Sequence, residues 1–269
     1  MLSIIISSYQ PNLYSALEKN VAETCGVDYE IIKIDNPGLM GICEAYNKGA
    51  KKARFQNLLF LHEDVEFVTE NWGRIVIDHL KKPNAGVIGL AGSTYVPHVP
   101  FCWWDHLEDT RRSIEQFSGE KKLKTYTIHK TEEVVVVDGV FLGCTKNVYE
   151  QVNFNENISG FHGYDLDFSV RAANISTNFV IHNITLKHFS EGKPDRLWWE
   201  NLVLNRSLFS APRKQKIDKK KESFFYKKLE ERLLQFNTPN KKQILLKYNN
   251  PFLIGYKVAF KNMFKILFK

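Results

Sequence analysis

Three side chains able to bind a divalent cation, His62, Glu63 and Asp64, close the apolar run Leu58-Leu59-Phe60-Leu61. A short apolar run that ends in polar residues suits a strand buried on both faces of a parallel sheet. Such strands present ligand-binding groups at their carboxyl ends. Carboxylate oxygen suits Mg²⁺ or Mn²⁺, and either ion shares its shell with phosphate, so the cluster fits a cation held beside a phosphorylated substrate. A surface turn after a strand accounts for the same seven residues equally well.

Other polar groups stand at the ends of apolar runs in the same way. Ser7, Ser8 and Tyr9 follow the β-branched run from Leu2, and Asp35 opens Asp35-Asn36-Pro37-Gly38 after a second run. Asp138-Gly139 follows Glu133–Val137, where a tight turn and close approach of a ligand to the backbone explain the glycine equally well. Asp165 is well placed as a helix N-cap, with Leu166, Val170 and Ala173 following at helical spacing. A cap does not account for Asp167 two residues later. His188 lies at a strand exit, where a hydrogen-bonded structural histidine and a metal ligand are equally good readings. Trp103 and Trp104 read more readily as loop anchors than as rings that stack on a ligand.

The elements that must position these groups follow from periodicity. Strands are predicted over 2–7, 29–34, 58–61, 85–91, 133–137 and 178–186, and helices over 12–24, 41–53, 72–82 and from Asp165 onward. The stretch 93–130 mixes aromatics with charge and reads as loops over the site. Strand, helix, strand openings imply an α/β fold with a mostly parallel sheet, whose right-handed crossovers gather strand ends on one edge. Asp35, Asp64 and Asp165 are then expected to line one pocket.

The chain has 269 residues, 43% of them hydrophobic, enough for one large domain with an appendage. Cys25, Cys43, Cys102 and Cys144 are scattered without a C-x-x-C pair, which argues against a zinc knuckle or a disulfide framework. No basic leader or long apolar run precedes the first strand, so the expectation is a cytoplasmic protein. Residues 1–195 carry a balance of −6 and residues 196–269 one of +13. The division expected is a catalytic domain over 1–195 and a basic helical extension over 196–269. Lys257, Lys261, Lys265 and Lys269 fall four apart in an apolar segment, and a second amphipathic helix is predicted over 218–236. Such helices suit peripheral contact with an anionic membrane on the inner face of the cell. Packing on the catalytic domain, or on an identical subunit in a homo-oligomer, is the competing reading. The lysine–phenylalanine pattern favours lipid over nucleic acid, and no nucleic-acid motif is present.

Taken in order, these pieces resemble the nucleotide-sugar glycosyltransferases of the GT-A fold, family 2 and its relatives, from about Ser3 to His188. Ser7-Ser8-Tyr9 looks like the family's nucleotide-facing turn, Asp35 like the acid that reads uracil or ribose, and Asn47 with Gly49 like its Asn-x-Gly. Leu61-His62-Glu63-Asp64 resembles its Asp-x-Asp motif, and Gly163-Tyr164-Asp165-Leu166-Asp167 its Glu-Asp element. The resemblance implies a Rossmann-like sheet, a nucleotide-sugar donor (a UDP-sugar first) and a glycan or lipid-linked acceptor. It makes Asp165 the general base and assigns Ser7, Tyr9, Asp35, Asn47, Glu63, Asp138 and Gly139 to the donor. Asp64, His188 and His62 are the implied ligands of Mn²⁺ or Mg²⁺. The chain departs from the pattern twice: His62 stands where an acid is usual, and Tyr164 replaces the Glu beside the base. A nucleotidyltransferase on a similar sheet is the alternative enzyme, but Ser7-Ser8-Tyr9-Gln10-Pro11 lacks the glycine-rich, basic phosphate loop it needs. A non-enzymatic protein that binds an anionic surface or nucleic acid through its tail is the alternative of another class.

Overall fold

The structure, a computed structural model, describes residues 1–192 and 194–268. The first three predicted strand–helix units form as expected: β1 (Leu2–Ser8), α1 (Pro11–Thr24), β2 (Tyr29–Asp35), α2 (Ile42–Lys52), β3 (Asn57–Leu61), β4 (Val65–Phe67) and α3 (Trp72–Leu80). Pro11 starts α1 at a position where its missing N–H costs nothing. β5 (Ala85–Gly89), β6 (Ala91–Ser93), β7 (Thr110–Arg112), β8 (Ile114–Ser118), β9 (Lys121–Tyr126), β10 (Glu132–Val134), β11 (Val136–Val137) and β12 (Phe141–Thr145) follow. The remainder is α4 (Lys146–Val152), α5 (Tyr164–Ala173), β13 (Thr177–Val180), β14 (Leu186–His188), α6 (Arg196–Asn205), α7 (Lys219–Gln235), α8 (Lys241–Tyr248), α9 (Pro251–Ile254) and α10 (Tyr256–Phe268).

A seven-stranded sheet in the order β10-β13-β5-β12-β3-β1-β2 forms the centre. β2, β1 and β3 are parallel, as are β13 and β5, while β12 and β10 run antiparallel to their neighbours. The strands β1 and β3 are buried on both faces, as their continuous apolar runs require.

Three expectations need correction. The runs 85–91 and 133–137, each expected as one strand, are split between the central sheet and a small sheet of β11, β6 and β7. The run 178–186 divides in the same way, its second part becoming β14 in a sheet with β4, β8 and β9. An apolar run reports burial, not which sheet buries it. The stretch expected as loops contains the β8–β9 hairpin. Its β9 strand is almost entirely exposed and carries Lys121, Lys122 and Lys124, an edge guarded by charge that hides its strand character.

The apolar segment that carries the lysine stripe is helical, as expected, but is divided at Gly255, whose φ of 89° lies in the left-handed region. Lys269 of the proposed lysine stripe lies outside the described residues.

Candidate active site

His62, Glu63 and Asp64 leave β3 at the carboxyl edge of the sheet, where the His62 N–H donates to the Val140 carbonyl at 3.2 Å. The chain then turns into β4, which pairs with β14 in a register that sets His188 opposite Val65. The Phe189 N–H donates to the Asp64 carbonyl at 2.9 Å. This pairing brings a histidine 124 positions along the chain to the carboxylate of Asp64. His188 Nε2 lies 3.4 Å from Asp64 Oδ2, and His62 Nδ1 lies 3.8 Å from Asp64 Oδ1. One atom from each of the three residues falls within 4.8 Å of the others. Ligands on one ion with bonds of about 2.1 Å stand at most about 4.2 Å apart, a limit that the 3.4 and 3.8 Å pairs meet. Two imidazoles and one carboxylate suit Mn²⁺ better than Mg²⁺, and the donor set fits.

The electrostatics of the trio are mutual. Burial acts to raise the Asp64 carboxyl, but its bond to His188 together with the nearby charge of His188 and His62 holds it below the ordinary value. Burial likewise opposes charge on His188, and Asp64 more than offsets that, raising it. His62 is lowered, chiefly by burial.

These residues face a cleft of about 860 Å³ lined also by Ser7, Tyr9, Asn36, Asp138, Tyr164 and Trp198. No Lys or Arg is among its described lining residues. A narrower cavity of about 120 Å³ adjoins it, lined by Asp165, Gly139, Phe101, Trp103 and Leu202. His62, Trp104, Asp138, Phe161, His162, Tyr164 and Trp198 border both spaces. The wall between them is therefore largely aromatic.

Asp165 is not the cap of α5. Gly163, with φ of 83°, takes that position, and Asp165 lies in the first turn. Its Oδ2 accepts the Gly139 N–H at 3.0 Å. Burial, and then the neighbouring Asp138, raise its carboxyl to about 7, against the pull of the Leu166 and Gly139 N–H groups. Asp138 braces the same turn: its Oδ1 accepts from the Val140 N–H and its Oδ2 from Trp103 Nε1 at 2.9 Å. Trp103 is thus the anchor expected, whereas Trp104 lines both spaces. Asp167 is buried against Arg171 Nε at 2.8 Å and accepts the Ser210 N–H, a packing role that explains why it is an acid.

Of the remaining expected residues, Ser7 and Tyr9 line the cleft. Glu63 lines it too, but Oε1 is committed to the Tyr9 and Gln10 N–H groups at 3.0 and 2.9 Å, while Oε2 is buried without a protein partner. Asp35 ends β2 on the correct edge, yet its side chain is 77% exposed, pairs with Lys33 at 2.7 Å and does not line the cleft. Asn36 lines it instead, closing the 36–40 turn through Met40 and reaching Ser7 Oγ at 3.2 Å. Asn47 is buried away from the cleft, bonded to Phe154, Glu156 and Tyr149. The space over Gly139 belongs to Tyr164, since a Cβ there would stand 2.1 Å from its hydroxyl. Tyr164 in turn meets His62 Nε2 at 2.9 Å.

The arrangement is that of the GT-A fold. The solved structure "Crystal structure of GalNAc-T7 with UDP, GalNAc and Mn2+" aligns over 99% of this chain with a TM-score of 0.53 and 11% identity, and the chain spans 57% of that one. "Crystal Structure of A197 from STIV" aligns over 71% of this chain and 86% of that one, with 14% identity and a TM-score of 0.41. No curated protein matches the sequence. The profile of the family described as "Glycosyltransferase like family" matches residues 3–209, and the chain belongs to that family.

Proposed function

We propose that the protein transfers a hexosyl group from a nucleotide diphosphate sugar, a UDP-sugar first, to a hydroxyl of a glycan or lipid-linked saccharide, with inversion. Surface polysaccharide or glycoconjugate synthesis is the setting that suits such an acceptor. The observation that carries the reading is the His62–Asp64–His188 trio in a large cleft, with His62 also bordering the small cavity that contains Asp165. The donor's charge needs a counter-ion, and the described lining offers no Lys or Arg. Mn²⁺ or Mg²⁺ held by the trio would offset charge developing on the departing diphosphate.

The chain's own groups then divide the work. Ser7, Tyr9 and Asn36 form the wall for the nucleoside, and the free Glu63 oxygen is positioned to accept a ribose hydroxyl. The acceptor enters past Trp104 and Trp198, rings suited to the apolar face of a sugar. Asp165 takes the proton of the attacking hydroxyl, and a carboxyl raised to about 7 is matched to a base working near neutral pH. Asp138 and the Gly139 N–H hold it in place. Thermal-shift screening of nucleotide sugars with and without Mn²⁺ tests the donor, with stabilisation by one base family only when metal is present as the expected result. The anomeric configuration of the product, read by NMR, tests inversion. No stabilisation by any nucleotide sugar removes the proposal.

A further inference from the structure

Helix α10 is mounted with its more apolar side outward. Ala259 and Ile266 are its buried residues, Asn249 Nδ2 donates to the Ala259 carbonyl at 2.9 Å, and Lys265 pairs with Glu230 of α7. An amphipathic helix that serves only to cover its own domain buries its large apolar side chains. Here Tyr256, Phe260, Phe264, Leu267 and Phe268, with Phe252 of α9, are each 57–71% exposed. At 100° per residue, Met263, Tyr256, Leu267, Phe260 and Phe264 fall within an arc of about 100°. Lys257 and Lys261 border that arc, both exposed. The sequence contains no acid after Glu231, while Lys241, Lys242 and Lys247 precede this helix. Scattered exposed leucines need no explanation, but a continuous aromatic strip of this kind marks a surface that binds.

We propose that α9 and α10 dock this strip in the plane of an anionic phospholipid bilayer, the phenylalanine rings at the acyl boundary and the lysines among the headgroup phosphates. No helix of the described residues is long and apolar enough to cross a membrane, so the contact is one of lying on the surface. Charge selects this occupant. A second copy placed face to face would set lysines against lysines with no acid to meet them, whereas anionic headgroups complement them. The surface stands on its own observations and does not depend on the transferase reading. If both hold, lipid-linked saccharides are the acceptors brought within reach.

The test uses the full chain and sedimentation with phosphatidylcholine vesicles, with and without phosphatidylglycerol. Pelleting is expected only with the anionic vesicles and is expected to weaken as salt rises. Phe260→Ser with Phe264→Ser, both exposed, should abolish pelleting while leaving the thermal melt unchanged. Lys257→Ala and Lys261→Ala should each weaken partitioning about fivefold. Equal pelleting of wild type and the double serine variant overturns the proposal. So does a dimer in solution that Phe260→Ser dissociates, or binding of single-stranded DNA with no vesicle binding. Nucleotide-sugar stabilisation, measured on the same proteins, should be untouched, which separates failure here from failure of the catalytic reading.

Discussion

His62 and Tyr164, the two positions where the chain departs from the motifs it resembles, are 102 residues apart and in contact, Nε2 to hydroxyl at 2.9 Å. If His62 is to offer its Nδ1 lone pair to a cation shared with Asp64, Nε2 must carry the proton and donate it to the Tyr164 oxygen. That bond then fixes tautomer and ring orientation together, as hydrogen-bond partners of metal-bound histidines do. Tyr164→Phe keeps the ring packed against Tyr46 and removes the hydroxyl that meets both His62 and Tyr46. Mn²⁺ affinity, measured by titration calorimetry in the absence of substrate, is expected to fall about 10- to 100-fold with the melt little changed; undiminished affinity would show that Tyr164 does not orient the ligand. Asp165→Asn should lower the transfer rate by about 10²–10⁴-fold while donor binding persists. The sign of the pH effect follows from the raised carboxyl. Below about 7 Asp165 is protonated and cannot accept a proton; above it the base is ionised. The wild-type rate should therefore climb through about pH 7, and a profile flat across that range would take the role from Asp165.

Elements explain which parts of the site the sequence disclosed. The β1 and β3 runs are nearly all apolar because both their faces are buried, so their ends, and with them Ser7 and the His62–Asp64 cluster, were readable from pattern alone. The pairing of β4 with β14 was not, because short strands of three residues leave no periodicity, and that pairing alone delivers His188 to Asp64. Asn36 was hidden inside an ordinary turn sequence, and the split runs at 90, 135 and 181 hid the second and third sheets. Asn47 shows the opposite error. It sits on α2 in a motif that implies donor binding, but its amide joins α2 to the chain around Phe154 and Glu156 and accepts the Tyr149 hydroxyl. Asn47→Ala strands these buried partners and should cost about 3 kcal/mol, read as a lower denaturation midpoint with donor affinity preserved in the folded protein. Gly139→Ala acts on the turn after β11. Its Cβ would press into Tyr164, and about 1–3 kcal/mol of stability should be lost together with the His62–Tyr164 bond.

At the scale of the molecule, charge suggested a division near residue 195, and the core does not respect it. One apolar cluster joins Tyr95, Phe101, Val136, Leu166 and Val170 of the body to Trp199, Leu202, Phe225, Leu229 and Leu233 of the later helices. Glu222 of α7 accepts from the Tyr95 hydroxyl at 2.8 Å and the His98 N–H at 3.1 Å, and Arg206 donates to the Pro97 and Val99 carbonyls. Lysines fill the outer surface of these helices while their inner surface is as apolar as the sheet, so net charge reported the solvent side alone. The family profile, ending at 209, already takes in α6. A chain stopped at residue 195 would leave the body's half of that cluster, and the Trp104 wall of the cleft, open to water. Each large side chain uncovered forfeits about 1.5–3 kcal/mol, and several together exceed the 5–15 kcal/mol that holds a typical protein folded. The shortened chain should therefore show no cooperative melt by circular dichroism, whereas the full chain unfolds in one transition that donor and Mn²⁺ shift as a whole. Two separate transitions in the full chain, the later one alone shifted by donor, would instead make the helices an independent unit.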